Sequence, residues 1–341
     1  MRPEVHSRAR LRRAWFLVGW LVAGISPTFH AQAGEWSAST EAKVLYTDNV
    51  SELSATRRMA LSEDPSQPTI VPLKNPRDVV WEPSLDVRRV SETAFGPTEF
   101  SMKAAGFIYT DHSIFNHGNY RLQVKQALTP DTSLLLRYRY VPNLFLGPNI
   151  ERRTGTRLLD EERVTSHVWR TQLEHRFHQQ WMATLVGRYG LRFFNEAFAE
   201  RDTKFWTIGP QVTFDAAAWL SLTVAYLFER GVADGRGDVQ VRDDVSYRQH
   251  FLSVSSTLVL GQGFSLDLGY AYRRKDFTSE LAGDSNRGVV DTTHVGSAEL
   301  RYRISSDASV TLGVQRSQRA SSATSRDFFN TNTSVGLQYR F

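Results

Sequence analysis

Polar and apolar residues alternate over most of the chain beyond position 35. In an extended strand successive side chains point to opposite faces, so this pattern predicts strands with one apolar and one polar side. The run 331–341 shows it most plainly. Thr333, Val335, Leu337, Tyr339 and Phe341 fall on one face, and Asn332, Ser334, Gly336, Gln338 and Arg340 on the other. The first strand starts at Trp36, where Ala38, Thr40, Ala42, Val44 and Tyr46 alternate with Ser37, Ser39, Glu41 and Lys43. Others are expected near Val79–Glu92, Thr98–Thr110 and Asn119–Leu128, and then at about 132–141, 163–177, 181–194, 203–214, 218–229, 247–260, 264–277, 290–305 and 309–318. With the terminal strand the total is about 14.

The connections alternate in length. Short ones fall at 94–97, 129–131, 178–180, 215–217, 261–263 and 305–308, and longer polar ones at 48–78, 111–118, 146–161, 195–202, 231–245, 278–289 and 319–327. Asp48 to Asp78 carries Pro65, Pro68, Pro72 and Pro76, which suits a surface or inward-folded loop and excludes a strand or a long helix. Short turns at one end and long loops at the other predict an all-β fold, a single antiparallel transmembrane β-barrel with an up-and-down meander and periplasmic short turns. An even strand count puts both ends of the barrel on the periplasmic side. A soluble β-sandwich would share the period, so the choice rests on loop lengths and on both ends of the chain.

At the N-terminal end, Arg8, Arg10, Arg12 and Arg13 precede a mostly apolar run from Ala14 to Phe29, and Ala31-Gln32-Ala33 forms an A-x-A site. This predicts a signal peptide over 1–33, cleaved after Ala33, with a barrel over 34–341. Arg12-Arg13 also suggests twin-arginine export, but a barrel must cross the inner membrane unfolded. The leader holds five Arg and one Glu, so the remaining chain has 41 − 5 = 36 basic and 36 − 1 = 35 acidic residues. The basic pI therefore gives no support to nucleic-acid binding. The absence of Cys excludes disulfides, a lipidated cysteine and thiolate metal sites. No run of about 18 apolar residues lies beyond the leader, so a membrane-embedded chain must be a closed barrel.

The polar faces carry the candidate chemistry. Arg121, Lys125, Arg137, Arg139, Arg170, Arg188, Arg192, Arg273, Arg301 and Arg303 are expected to line the lumen, with Arg88, Arg176 and Arg340 on the same face. Acids are fewer there: Glu41, Glu82, Asp86, Glu174, Glu229, Asp267 and Glu299. A water-filled pore so lined would favour anions or acidic sugars, whereas cross-strand pairing of the same groups would fill it. Asp111-His112-Ser113 and Asn116-His117-Gly118-Asn119 are the only cues for hydrolysis, and adjacent side chains on a strand diverge, so no triad and no enzyme is expected. His167, His175, His250 and His294 lack metal-ligand spacing. Neither a metal nor a cofactor is expected.

Two stretches carry resemblances. Val335, Leu337, Tyr339 and Phe341 resemble the C-terminal strand of bacterial outer-membrane β-barrels, which implies an assembly signal read by the barrel-assembly machinery. Val44-Leu45-Tyr46-Thr47-Asp48-Asn49-Val50 resembles the Tyr-x-Asp-Asn-Val segment of the putative β-barrel porin family linked with exopolysaccharide systems, although Ser51 and Glu52 stand where an aromatic and an Arg are usual. These resemblances imply a Gram-negative outer-membrane barrel surrounded by lipid. Two functions are expected: a porin-like channel for passive diffusion of small polar or acidic solutes, or a non-conducting accessory barrel in envelope or exopolysaccharide export.

Overall fold

A computed structural model describes residues 36–56, 59–61, 63, 77–155 and 157–341. The leader with its Ala33 site, and Pro65, Pro68, Pro72 and Pro76, lie outside the described residues. Fourteen antiparallel strands close into one barrel, each paired with its sequence neighbour and β1 with β14. They are β1 (Trp36–Thr47), β2 (Asp78–Thr93), β3 (Gly96–Tyr109), β4 (His117–Thr129), β5 (Thr132–Ile150), β6 (Leu159–His178), β7 (Trp181–Phe194), β8 (Thr203–Ala217), β9 (Leu220–Ala233), β10 (Tyr247–Gly261), β11 (Phe264–Phe277), β12 (Val290–Arg303), β13 (Ala308–Ser321) and β14 (Phe328–Arg340). At the seam Thr40 faces Tyr339, Ala42 faces Leu337 and Val44 faces Val335, and the Phe341 amide donates to the Ala38 carbonyl at 2.8 Å. Closure leaves no unpaired edge, which is what lipid demands of a sheet.

Burial is inverted relative to a water-soluble protein. Leu136, Leu185, Ile208, Leu312 and Val335 stand about half exposed on the outer wall, while Arg139, Arg170, Arg188, Glu229 and Arg273 are buried inside. Water would penalise so continuous an apolar wall, and a bilayer removes that penalty. Trp36, Tyr46, Trp181 and Trp219 are exposed near strand ends, as an interfacial girdle requires. Phe194, although aromatic and at a strand end, is not part of this girdle. It pairs with Val164 and packs inward against the cluster of Val141, Leu144, Leu146 and Val164.

Several boundaries also move. Half of the stretch 146–161 is strand, because β5 runs on to Ile150 and β6 begins at Leu159, leaving 151–158 as the loop. Asn143 at φ 48° and Gly147 at φ 120° sit at register shifts that bend β5 without ending its pairing. Local Pro and Gly signals therefore misplaced the end of a strand that its partner keeps extended. Similarly, β9 reaches Ala233, β13 reaches Ser321 and β14 begins at Phe328. The 48–78 connection contains a short helix, α1 (Val50–Thr56), whose backbone start is held by Asn49 Oδ1 accepting from the Glu52 amide at 3.2 Å.

Candidate functional site

The interior of the barrel is the candidate site, and the segment between β1 and β2 occupies part of it. Val50 and Leu53 of α1 pack with Leu45, Val80, Phe107, Tyr109, Phe115 and Phe145 at the end of the barrel that bears the long loops. Glu52 is fully buried and accepts from Arg319 Nη2 at 3.0 Å. Further along, Met59 enters an apolar patch of Val186, Leu227, Phe251, Ala271 and Val295, all inward residues of β7 and β9–β12. Arg170 donates to the Leu61 carbonyl and Arg139 pairs with Glu63. Apolar and ionic contacts thus hold α1 and the residues 59–61 and 63 against the inner wall.

Below this segment lies a cavity of about 600 Å³. Lys43, Arg137, Arg170, Gln172, Asp267 and Glu299 are among its walls, and Met59-Ala60-Leu61 borders it on the loop side. A smaller space of about 120 Å³ lies beside it, lined by Glu41, Lys43, Glu63, Lys103, Arg121 and Arg139 among others.

Of the ten cations expected to line the lumen, five meet carboxylates among the described residues. Arg121 reaches Asp86 at 3.0 Å, Lys125 reaches Glu174 at 2.7 Å, Arg188 reaches Glu229 at 2.7 Å, Arg301 reaches Glu299 at 3.3 Å, and Arg139 pairs with Glu63. Four others contact neutral groups. Arg137 donates to Gln123 Oε1 at 2.9 Å, Arg170 to the Leu61 carbonyl, Arg192 to the Tyr247 hydroxyl at 3.1 Å and Arg273 to Thr293 Oγ1 at 3.2 Å. Arg303 is exposed at the short-turn rim, outside the enclosed lumen. Lys43, Lys275 and Arg319 are buried inward cations absent from the expected set. Lys275 and Lys43 share the parity of residues already on the polar face, and Arg319 lies just beyond the expected end of its strand.

Near the long loops the interior is filled. Glu229 accepts from Arg188, from Thr207 Oγ1 at 2.5 Å and from the Tyr247 hydroxyl at 2.7 Å, and Arg192 stacks over Phe205 at 4.4 Å. Glycine makes room for this layer. A Cβ at Gly231 would lie 2.3 Å from the Tyr247 ring, so only glycine lets that ring lie across the neighbouring strand. Outside the strands, Arg201 donates to Glu162 at 2.8 Å and to Asp243 at 2.7 Å, tying three elements together. Burial disfavours the Arg201 charge, but those two carboxylates overcome it and hold the guanidinium above its ordinary pKa. Burial pushes the neighbouring Glu200 carboxyl up to about 7; Asp243 adds to that rise and Arg201 opposes it.

The residues weighed for hydrolysis serve the loops. Asp78 accepts from the His112 amide at 2.9 Å and lies 3.1 Å from His112 Nδ1, clasping the loop after β3 to the start of β2. His117 Nδ1 lies 2.7 Å from the Phe115 carbonyl, and its ring stacks on Phe107 at 4.5 Å. His167, His250 and His294 each sit 2.7 Å from a tyrosine hydroxyl, those of Tyr138, Tyr226 and Tyr270. His175 contacts Thr132 at 2.9 Å.

No family model matches the chain, and no curated protein matches it. Solved structures do. The outer membrane channel DcaP of Acinetobacter baumannii is 10% identical, with 92% of this chain and 99% of that chain covered at a TM-score of 0.53. In-vitro folded OmpT, an outer membrane protein of Vibrio cholerae, is 8% identical, with 90% and 97% covered at a TM-score of 0.50. At such identities the likeness concerns architecture alone, and the architecture of this chain is that of the outer-membrane β-barrels.

Proposed function

We propose that the chain is an outer-membrane channel for passive diffusion of small polar solutes, favouring acidic ones, and that its own β1–β2 segment narrows it. The cavity of about 600 Å³ behind Met59-Ala60-Leu61 carries this reading: Arg137 and Arg170 stand in its wall with Asp267 and with Lys43, which pairs with Glu299 at 3.0 Å. A basic, partly desolvated passage concentrates anions, because field lines focus where low-dielectric walls surround like charges. Arg137 donates to a side-chain amide and Arg170 to a backbone carbonyl, so those two contacts bring no negative charge of their own.

The filled loop-side half favours a second reading, an accessory barrel in envelope or exopolysaccharide assembly that conducts nothing. The Arg201 clasp and the Glu229 layer would then be permanent closures. Liposome swelling separates the two. For a channel, reconstituted protein admits a sugar acid faster than the neutral sugar of the same size. Equal rates remove the anion preference, and no uptake of either supports the accessory barrel.

A further inference from the structure

We infer that the outer wall of β8–β11, at the end bearing the long loops, is a binding site for the phosphate headgroup of a membrane lipid. Glu229 and Gln249 point inward, each about 1% exposed, so their strand neighbours Arg230 and Arg248 point out. These two arginines are direct partners across the β9–β10 pair. Cross-strand partners on one face stand about 5 Å apart, and like charges there destabilise the sheet. Lys204 on β8, the partner of Val232, and Arg274 on β11, the partner of His250, lie diagonal to the pair on either side. Against these four cations stand two acids, Asp234, 3.5 Å from Lys204, and Asp276, which is the β11 partner of Arg248 and whose carboxylate lies 3.0 Å from Arg274. Among the described residues neither acid forms an ion pair with Arg230 or Arg248.

Position identifies the ligand as lipid. In each of the four strands the cation lies two residues beyond an outward ring, toward the long loops: Trp206 precedes Lys204 along that direction, Phe228 precedes Arg230, His250 precedes Arg248 and Tyr272 precedes Arg274. Trp206 packs on Phe228 at 5.5 Å and Phe228 on His250 at 5.4 Å, forming a continuous aromatic row. Outward rings mark the level where acyl chains give way to headgroups, so the guanidinium row stands at headgroup height. Guanidinium groups match phosphate oxygens through paired, charge-assisted hydrogen bonds, and an anion between Arg230 and Arg248 turns their repulsion into shared attraction. On β13, by contrast, the outward Arg316 has uncharged partners, Gly296 and Thr331.

Native mass spectrometry of the folded full chain in neutral detergent tests this, with phosphatidic acid and phosphatidylcholine as probes and the heat-modifiable band as the check on folding. The wild type should retain phosphatidic acid in preference to phosphatidylcholine. The R230Q/R248Q double variant should bind it roughly tenfold more weakly, and Arg316→Gln should match the wild type. If the double variant does not fold, Arg248→Gln alone should show a several-fold loss. Equal retention by wild type and Arg230/Arg248 variants, or an equal loss in Arg316→Gln, overturns the site. Displacement by inorganic phosphate as effective as by phosphatidic acid overturns its assignment to lipid.

Discussion

Met59→Ala is the sharpest perturbation of the inward segment, because it weakens docking without altering any charge in the lumen. Met59 is 2% exposed and touches inward residues of five strands. Truncating a buried Met to Ala costs about 2–5 kcal/mol. The adjoining cavity already reaches Met59, so the site loses less packing than a closed core and the lower end applies. A loss of about 2 kcal/mol moves the docking equilibrium roughly thirtyfold toward release. Arg170 and Arg139 would still hold Leu61 and Glu63, so the segment should open intermittently rather than leave the lumen. Single-channel recording in planar bilayers reads this as longer open dwell times at unchanged ion selectivity, with a heat-modifiable band confirming the fold. Open-state occupancy and conductance identical to wild type would refute the idea that Met59 holds a closure.

Three further outcomes follow from other contacts. Arg201→Met leaves Glu162 and Asp243 buried together without their cation, a change of about 3–5 kcal/mol that should speed protease cleavage within 234–246 while the barrel stays heat-modifiable. Glu200 has a folded pKa of about 7, raised by burial above its ordinary value, so its packing is strongest at low pH and weakens as pH rises through about 7. Cleavage of the same loops should therefore be faster at pH 8 than at pH 6, and Glu200→Gln should flatten that dependence in part, because burial also raises Asp202. Deleting Phe341 removes the hydrogen bond its amide donates to the Ala38 carbonyl and the ring that packs edge-on against Tyr339 at 4.9 Å, and should lower the folded fraction in outer membranes; normal assembly would count against an assembly-signal role.

The fold was legible in the sequence because a barrel wall enforces a strict period of two. Val335, Leu337, Tyr339 and Phe341 all fall on the outer, exposed face, as alternation requires. The same rule put Arg137, Arg139, Arg170, Arg188, Arg192 and Arg273 on one inner surface. What alternation could not supply was their company. Whether Arg139 faces a solute or Glu63 depends on a loop that returns through the lumen, and no local pattern encodes that return. A partial signal was present. Val50, Leu53, Met59 and Leu61 are apolar residues in the first half of a largely polar connection, and apolar groups spaced along a loop seek burial. The end of β5 was misread for a related reason, since Gly147 and Pro148 would break an isolated strand, yet pairing with Glu162 and Glu161 carries the chain through them.

Conductance of the wild-type chain in a planar bilayer under a salt gradient tests the channel reading most directly. Discrete current steps, with a reversal potential displaced toward that of the anion and moved back by Arg137→Glu with Arg139→Glu, are the predicted result. An electrically silent barrel, correctly folded and silent also as Met59→Ala, would contradict it.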